Sequence, residues 1–190
     1  VGRQAAEKAK IIPGETALVM GCGPIGLVIA LTALAGGCSK VFIADIASEK
    51  LRMCENYRNL IPIDLNKENP IAVIKKNTNN WGANIIFEAS GSTKAYDVIF
   101  DSICPAGRVV IVGNPMNSVP MDFATLLTKE IEIKTVFRYA HQYERAINLL
   151  SSNKIDVKPM ITDTVAFDDS IKAFERAAKN LPEDVKIQIQ

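Results

Sequence analysis

Short apolar runs of strand length alternate along the chain with longer stretches of helical period, and Gly, Pro or Asn closes most of them. That alternation predicts repeated βαβ units, hence an α/β fold with a doubly wound parallel sheet covered on both faces. Six strands are expected, over 16–20, 40–44, 60–63, 84–89, 108–112 and 131–137, arranged as two similar halves. Between them the pattern predicts helices over 24–35, 48–56, 66–76, 93–103 and, briefly, 122–128. Pro24 opens the first of these, where its missing N–H costs nothing; Gly36-Gly37 stops it, and Ser48 caps the second. In the sixth strand Ile131, Ile133 and Thr135 alternate with Glu132 and Lys134, so one face is less buried and an edge position is expected. Beyond Tyr139 come a helix over 143–150, a polar stop at Ser151-Ser152-Asn153, a strand over 161–167, a helix over 168–179 and a last strand over 185–189. The expected division is one doubly wound domain over 1–140 and a C-terminal segment over 141–190.

Gly21-Cys22-Gly23-Pro24-Ile25-Gly26 fits G-x-G-x-x-G where the mechanism requires it, directly after a strand and opening a helix. Gly21 can make the tight turn, Gly23 lets a diphosphate approach the backbone, and Gly26 lets helix pack closely on strand. The helix N-terminus then offers free N–H groups and partial positive charge to phosphates. Asp45 ends the second strand nineteen positions after Gly26, where an acid can accept hydrogen bonds from the adenosine ribose. A 2′-phosphate beside that carboxylate would be repelled, so NAD is expected rather than NADP. Two alternatives share these features: an Asp that only caps the helix beginning near Ala47, and a methyltransferase using the same first turn for S-adenosylmethionine. The six-strand pattern and the Gly113 turn after strand five favour the dinucleotide, so residues 1–140 are expected to be a dinucleotide-binding (Rossmann) domain.

Composition narrows the classes further. With 48% hydrophobic and 23% charged residues the 190-residue chain has the make-up of an ordinary globular protein. Twenty-two Lys+Arg against 21 Asp+Glu leave a net charge of +1, so no nucleic-acid or membrane partner is expected from charge. Glycines and Pro24 break the apolar stretch 17–36 into strand, turn and helix, too short for a span. Cys22, Cys38, Cys54 and Cys104 lack the C-x-x-C spacing of a metal clip, and buried thiols in a reducing cytoplasm are expected. His141 is the sole histidine, with no G-x-S-x-G elbow before it, which disfavours a serine triad or a zinc site built from this chain. The chain opens at Val1 within a helix-like run, as expected of a piece of a longer polypeptide.

With the glycine loop, Asp45, Val136-Phe137-Arg138-Tyr139 and Ile155-Asp156-Val157-Lys158-Pro159 in place, the chain resembles the C-terminal half of zinc-dependent medium-chain dehydrogenases of the polyol branch, which includes the sorbitol and xylitol enzymes. The resemblance implies that Ile25 and Gly26 lie against the pyrophosphate, that Asp45 holds the ribose and that Lys50 flanks the adenine. It also implies that Val112, Gly113 and Asn114 contact the nicotinamide half, bordered by Val136, Phe137 and Arg138, with Arg138 and Tyr139 reaching the substrate. By the same resemblance the activity is oxidation of xylitol to D-xylulose, with sorbitol as the alternative substrate. The catalytic zinc would be held by residues of a domain outside this chain, leaving the chain inactive alone. A free-standing NAD-sensing module is the alternative of another class. The chain departs from the family at Asn59, where a Gly is usual, and at Glu88-Ala89-Ser90-Gly91, in place of Glu-Cys-Thr-Gly. A homo-oligomer, dimer or tetramer, is expected through the strand over 131–137.

Overall fold

A computed structural model describes residues 1–179 and 181–190. The body begins with α1 (Gly2–Ala9), β1 (Thr16–Met20), α2 (Pro24–Ala35), β2 (Lys40–Asp45) and α3 (Ser48–Leu51), which tightens into a 3-10 turn over Arg52–Asn56. It continues through β3 (Leu60–Asp64), α4 (Pro70–Asn77), β4 (Ala83–Glu88), α5 (Tyr96–Ser102), β5 (Ile103–Ile111), α6 (Phe123–Thr128) and β6 (Glu132–Thr135). The C-terminal segment adds α7 (Tyr143–Ser151), β7 (Ile161–Val165), α8 (Ser170–Ala178) and β8 (Lys186–Ile189).

Strands β1 to β6 form one parallel sheet in the order β3-β2-β1-β4-β5-β6. Its central strands are near-continuous apolar runs because both faces are covered. One core packs α1 and α2 on the sheet through Ala5, Leu27, Ile29 and Val41. The other packs α4 and α5 on the opposite face through Leu18, Phe42, Ile74 and Ile99. Helix α2 buries residues all round because it lies between sheet and α1. Arg108 fastens α1 to the sheet: Nη1 donates to the Ala9 and Lys10 carbonyls at 2.7 and 2.6 Å, and Nη2 pairs with Glu15. The four cysteines are free and buried, as expected.

Several boundaries differ from the sequence pattern, three of them instructively. Helix α4 starts at Pro70, not 66, because the Asn69 side chain accepts from the Ile71 and Ala72 amides. Strand β5 begins at Ile103, not 108, since Ile103 pairs with Ala83 before the ladder resumes at Ile85 and Arg108. Strand β6 is shorter than expected, but it does stand at a sheet edge. Asn59 takes a positive φ of 65°, a conformation open to Asn as well as to the Gly usual in the family. Strands β7 and β8 pair in a separate parallel two-stranded sheet. No described helix is long and apolar enough to cross a membrane.

Candidate functional site

In a doubly wound sheet a crevice opens at the carboxyl ends of the strands where their order reverses, here between β1 and β4. Residues 21–26 lead from β1 across this point into α2. The Gly21 amide donates to the Ala44 carbonyl at 2.7 Å and the Cys22 amide to Asp45 Oδ2 at 2.6 Å. Gly23 is the N-cap of α2, Pro24 occupies the first turn, and no side chain caps the helix. The first-turn amides of α2 and the positive end of its dipole are therefore left for an anion. A Cβ at Gly26 would overlap the Gly21 carbonyl oxygen, so only glycine closes this turn. A Cβ at Gly23 would meet nothing within 4 Å, which leaves an open cradle in front of the loop.

Asp45 both closes its own turn and reaches across, without capping α3, whose N-cap is Ala47. Its Oδ1 accepts from the Ala47 amide at 2.8 Å, while Oδ2 ties the glycine loop to β2 through Cys22. Each oxygen retains a lone pair for a sugar hydroxyl. Lys50, half-buried on α3, offers its carbonyl to the Cys22 thiol at 3.5 Å, so its backbone lies beside the loop. Asp64, the register partner of Asp45, takes the Lys67 ammonium at 2.8 Å and the Ser48 hydroxyl at 2.6 Å. Those two bonds and the Asn66 amide hold its carboxyl well below the usual carboxylate range. Asn66 Nδ2 donates to the Ile46 carbonyl at 2.7 Å, so the segment after β2 is braced from β3. The sequence reasoning missed Asp64; the available signal was an acid closing strand three beside the strand that ends in Asp45.

On the other side of the reversal, the Glu88 carbonyl accepts from the Val112 and Gly113 amides at 2.8 and 2.9 Å, docking both against β4 beside the exposed Asn114. Glu88 itself is fully buried. Its Oε1 accepts from the Ser90 amide (2.8 Å), the Ser90 hydroxyl (2.5 Å) and the Gly91 amide (3.0 Å). Burial pushes the neighbouring Tyr96 phenol up, and the Glu88 charge adds to that. Glu88 was legible only as a match to the family pattern.

At the end of β6 the Val136 amide donates to the Ile111 carbonyl at 2.8 Å. The Val136 side chain belongs to the core, at 6% exposure, so its backbone rather than its side chain is what a ligand could border. Phe137 is 77% exposed, with the Arg138 guanidinium carbon 4.8 Å from its ring centroid. The Tyr139 hydroxyl lies 3.3 Å from that of Tyr143, their rings edge to face. Arg138 lies over Phe137, and Tyr139 packs against Tyr143 at the start of α7. The structure thus bonds the loop directly to Asp45 and docks Val112 and Gly113 on β4. Phe137, Arg138 and Tyr139 it leaves exposed.

A mostly apolar hollow of about 530 Å³ lies beside the loop, lined by Pro24, Ile25, Val28, Leu149, Val157 and Met160. A second, of about 670 Å³ between Arg3, Glu7, Lys10 and Lys154, involves none of residues 21–26. Among the described residues no group of three His, Cys, Asp or Glu side chains is placed to hold a metal ion.

Comparison with known proteins places this geometry. The family model described as "Zinc-binding dehydrogenase" matches residues 24–152. A Rhizobium meliloti protein provisionally named a D-xylulose reductase is 46% identical over 190 residues, covering 100% of this chain and 55% of its own length. The D-xylulose reductase of Morganella morganii is 42% identical over 180 residues, 94% of this chain and 53% of its own. Among solved structures, an Escherichia coli oxidoreductase/dehydrogenase of unknown specificity involved in membrane biogenesis superposes with a TM-score of 0.91 at 31% identity, over 100% of this chain and 55% of that one. The chain spans about half the length of these relatives. It belongs to the zinc-binding dehydrogenase family.

Proposed function

We propose that this chain is the NAD(H)-binding part of a polyol dehydrogenase that oxidises xylitol to D-xylulose. The observation that carries the cofactor assignment is the bond from the Cys22 amide to Asp45, which sets a carboxylate beside a glycine loop whose cradle at Gly23 is open. The amides of Ile25 and Gly26 hold the diphosphate, Asp45 accepts from the adenosine ribose, and Lys50 flanks the adenine. Val112, Gly113 and Asn114 border the nicotinamide half, together with the backbone of Val136. Phe137, Arg138 and Tyr139 form the rim toward the substrate. NAD supplies the hydride acceptor when bound. Discrimination against NADP follows from charge: two like unit charges about 4 Å apart at an effective dielectric near 20 repel by roughly 4 kcal/mol. Asp64, in register with Asp45, adds a second acid at this end, although Lys67 offsets part of its charge.

The polyol assignment rests on the relatives named D-xylulose reductase. A sorbitol dehydrogenase of Bacillus subtilis, 30% identical over 190 residues, keeps sorbitol as the alternative substrate. Zinc, in this reading, is held by residues outside the chain. The exposed Phe167, Ile171 and Phe174 and the hollow beside Ile25 support packing of residues 141–190 against a further domain. The edge position of β6 supports assembly of two or more copies through that strand.

The test of the cofactor assignment is titration of NADH and NADPH against the chain and its Asp45→Ala variant. NADH should bind more tightly than NADPH to the parent, by tenfold or more, and the variant should lose that preference. Equal affinities in the parent would remove the assignment.

A further inference from the structure

We propose that Glu88 is a positioning residue for the nicotinamide half of the cofactor, an inference that rests on the NAD reading above and deepens it. Glu88 stands at the end of β4, at the reversal of strand order, with none of its surface exposed. The preceding residues Ile85, Ile86 and Phe87 are fully buried and apolar, and they satisfy the packing on both faces of the sheet. A carboxylate adds nothing to that packing, and burying it is costly unless its oxygens are occupied.

What the carboxylate does is hold one short segment. Its Oε1 gathers the Ser90 amide, the Ser90 hydroxyl and the Gly91 amide, three donors on one oxygen, as an ionised acceptor does. The segment so held is wedged between the two loops that would flank the cofactor. On one side a Cβ at Gly21 would lie 3.0 Å from the Ser90 nitrogen. On the other, a Cβ at Gly91 would lie 3.1 Å from the Asn114 carbonyl oxygen, and one at Gly113 would overlap both the Gly91 nitrogen and Glu88 Oε2. The Glu88 main chain adds its carbonyl under the Val112 and Gly113 amides. One residue therefore sets the spacing between the diphosphate loop and the Gly113-Asn114 turn. Oε2, buried and without a hydrogen-bond partner among the described residues, is the oxygen that faces Gly113.

The inference separates positioning from general stability, because ADP-ribose shares the adenosine, diphosphate and terminal ribose of NADH but lacks the nicotinamide. NADH and ADP-ribose are titrated against the parent chain, Glu88→Gln and Ser90→Ala. The glutamine keeps the shape and removes the charge that strengthens the three bonds. It should weaken NADH about tenfold and leave ADP-ribose within about twofold. Ser90→Ala, which deletes one of three donors, should show the same selectivity at smaller size, and it carries the test alone if the glutamine variant does not fold. Parallel losses for the two nucleotides, or no loss for either, would overturn the inference while leaving the NAD reading in place. Failure of the parent chain to bind either nucleotide would overturn both.

Discussion

Phe42 and Phe87, in the six-stranded body, are fully buried; Phe167 and Phe174, in the C-terminal segment, stay 74% and 71% exposed. The same side chain meets opposite fates because the two regions cover their apolar faces differently. In the body, helices close both faces of one sheet, and two continuous cores result. In the segment, α8 buries Ala173 toward its own side while Ile171 and Phe174 project from it without cover in the described chain. Helix α7 likewise exposes Tyr143 and Ile147. A strongly two-faced helix with an uncovered apolar side marks a surface made for contact, not a core in waiting. The body is closed on both faces, with Met160 and Val185 of the segment joining one of its cores, while α7 and α8 keep apolar side chains exposed.

The contrast is broken most severely by truncation. Phe87→Ala should cost about 3–5 kcal/mol, while Phe174→Ala should change stability by no more than about 0.5 kcal/mol, both read from denaturant unfolding. A large loss at Phe174 would mean that its face is covered in solution. The ion pairs sharpen the same point. Removing Arg108 strands Glu15 and two carbonyls in a pair with side chains only 11% and 13% exposed, so Arg108→Ala should cost about 3 kcal/mol. Arg176, 40% exposed between Asp163 and Asp184, should cost clearly less as alanine than Arg108 does, because water screens its pairs.

Within the glycine loop the comparison moves from stability to binding. Gly26→Ala should destabilise the body by about 2 kcal/mol and abolish NADH binding, because the new Cβ strikes the Gly21 carbonyl. Gly23→Ala should leave the melting temperature within a degree or two and still weaken NADH, because its Cβ enters open space that the diphosphate needs. The smallest effect is alkaline. Burial pushes the Cys38 thiol from its ordinary 9.0 up to about 12. A raised folded-state value means that this contribution is complete below about pH 9 and is lost as pH rises toward 12. The melting temperature should fall over that window, and fall less in Cys38→Ala.

Much of this was legible in the residues themselves. Strands β1, β2 and β4 are near-continuous apolar runs because they are covered twice, and no helix of such length and flanks competes for them. The glycine loop and Asp45 announce themselves by spacing, and the structure joins them by one hydrogen bond. Other features depend on contacts that sequence distance hides. The start of β5 depends on Ile103 meeting Ala83, twenty residues earlier. The start of α4 turned on Asn69, a local cap outweighed in the pattern by the apolar period around it. Asp64 and Glu88 act on loops brought beside them only by the order of the strands, so an acid at a strand end, or a match to the family pattern, was the whole of their signal. Arg138 and Tyr139 were singled out through resemblance, and the contacts they make, with Phe137 and Tyr143, are ones no spacing rule foretold.

A crystal structure of the chain grown with NADH decides whether the loop and its acid bind a dinucleotide. The diphosphate should rest on the amides of Ile25 and Gly26, with the adenosine ribose hydroxyls on Asp45. A nucleotide ordered elsewhere on the molecule, or seated in the crevice with its ribose turned away from Asp45, would contradict the assignment.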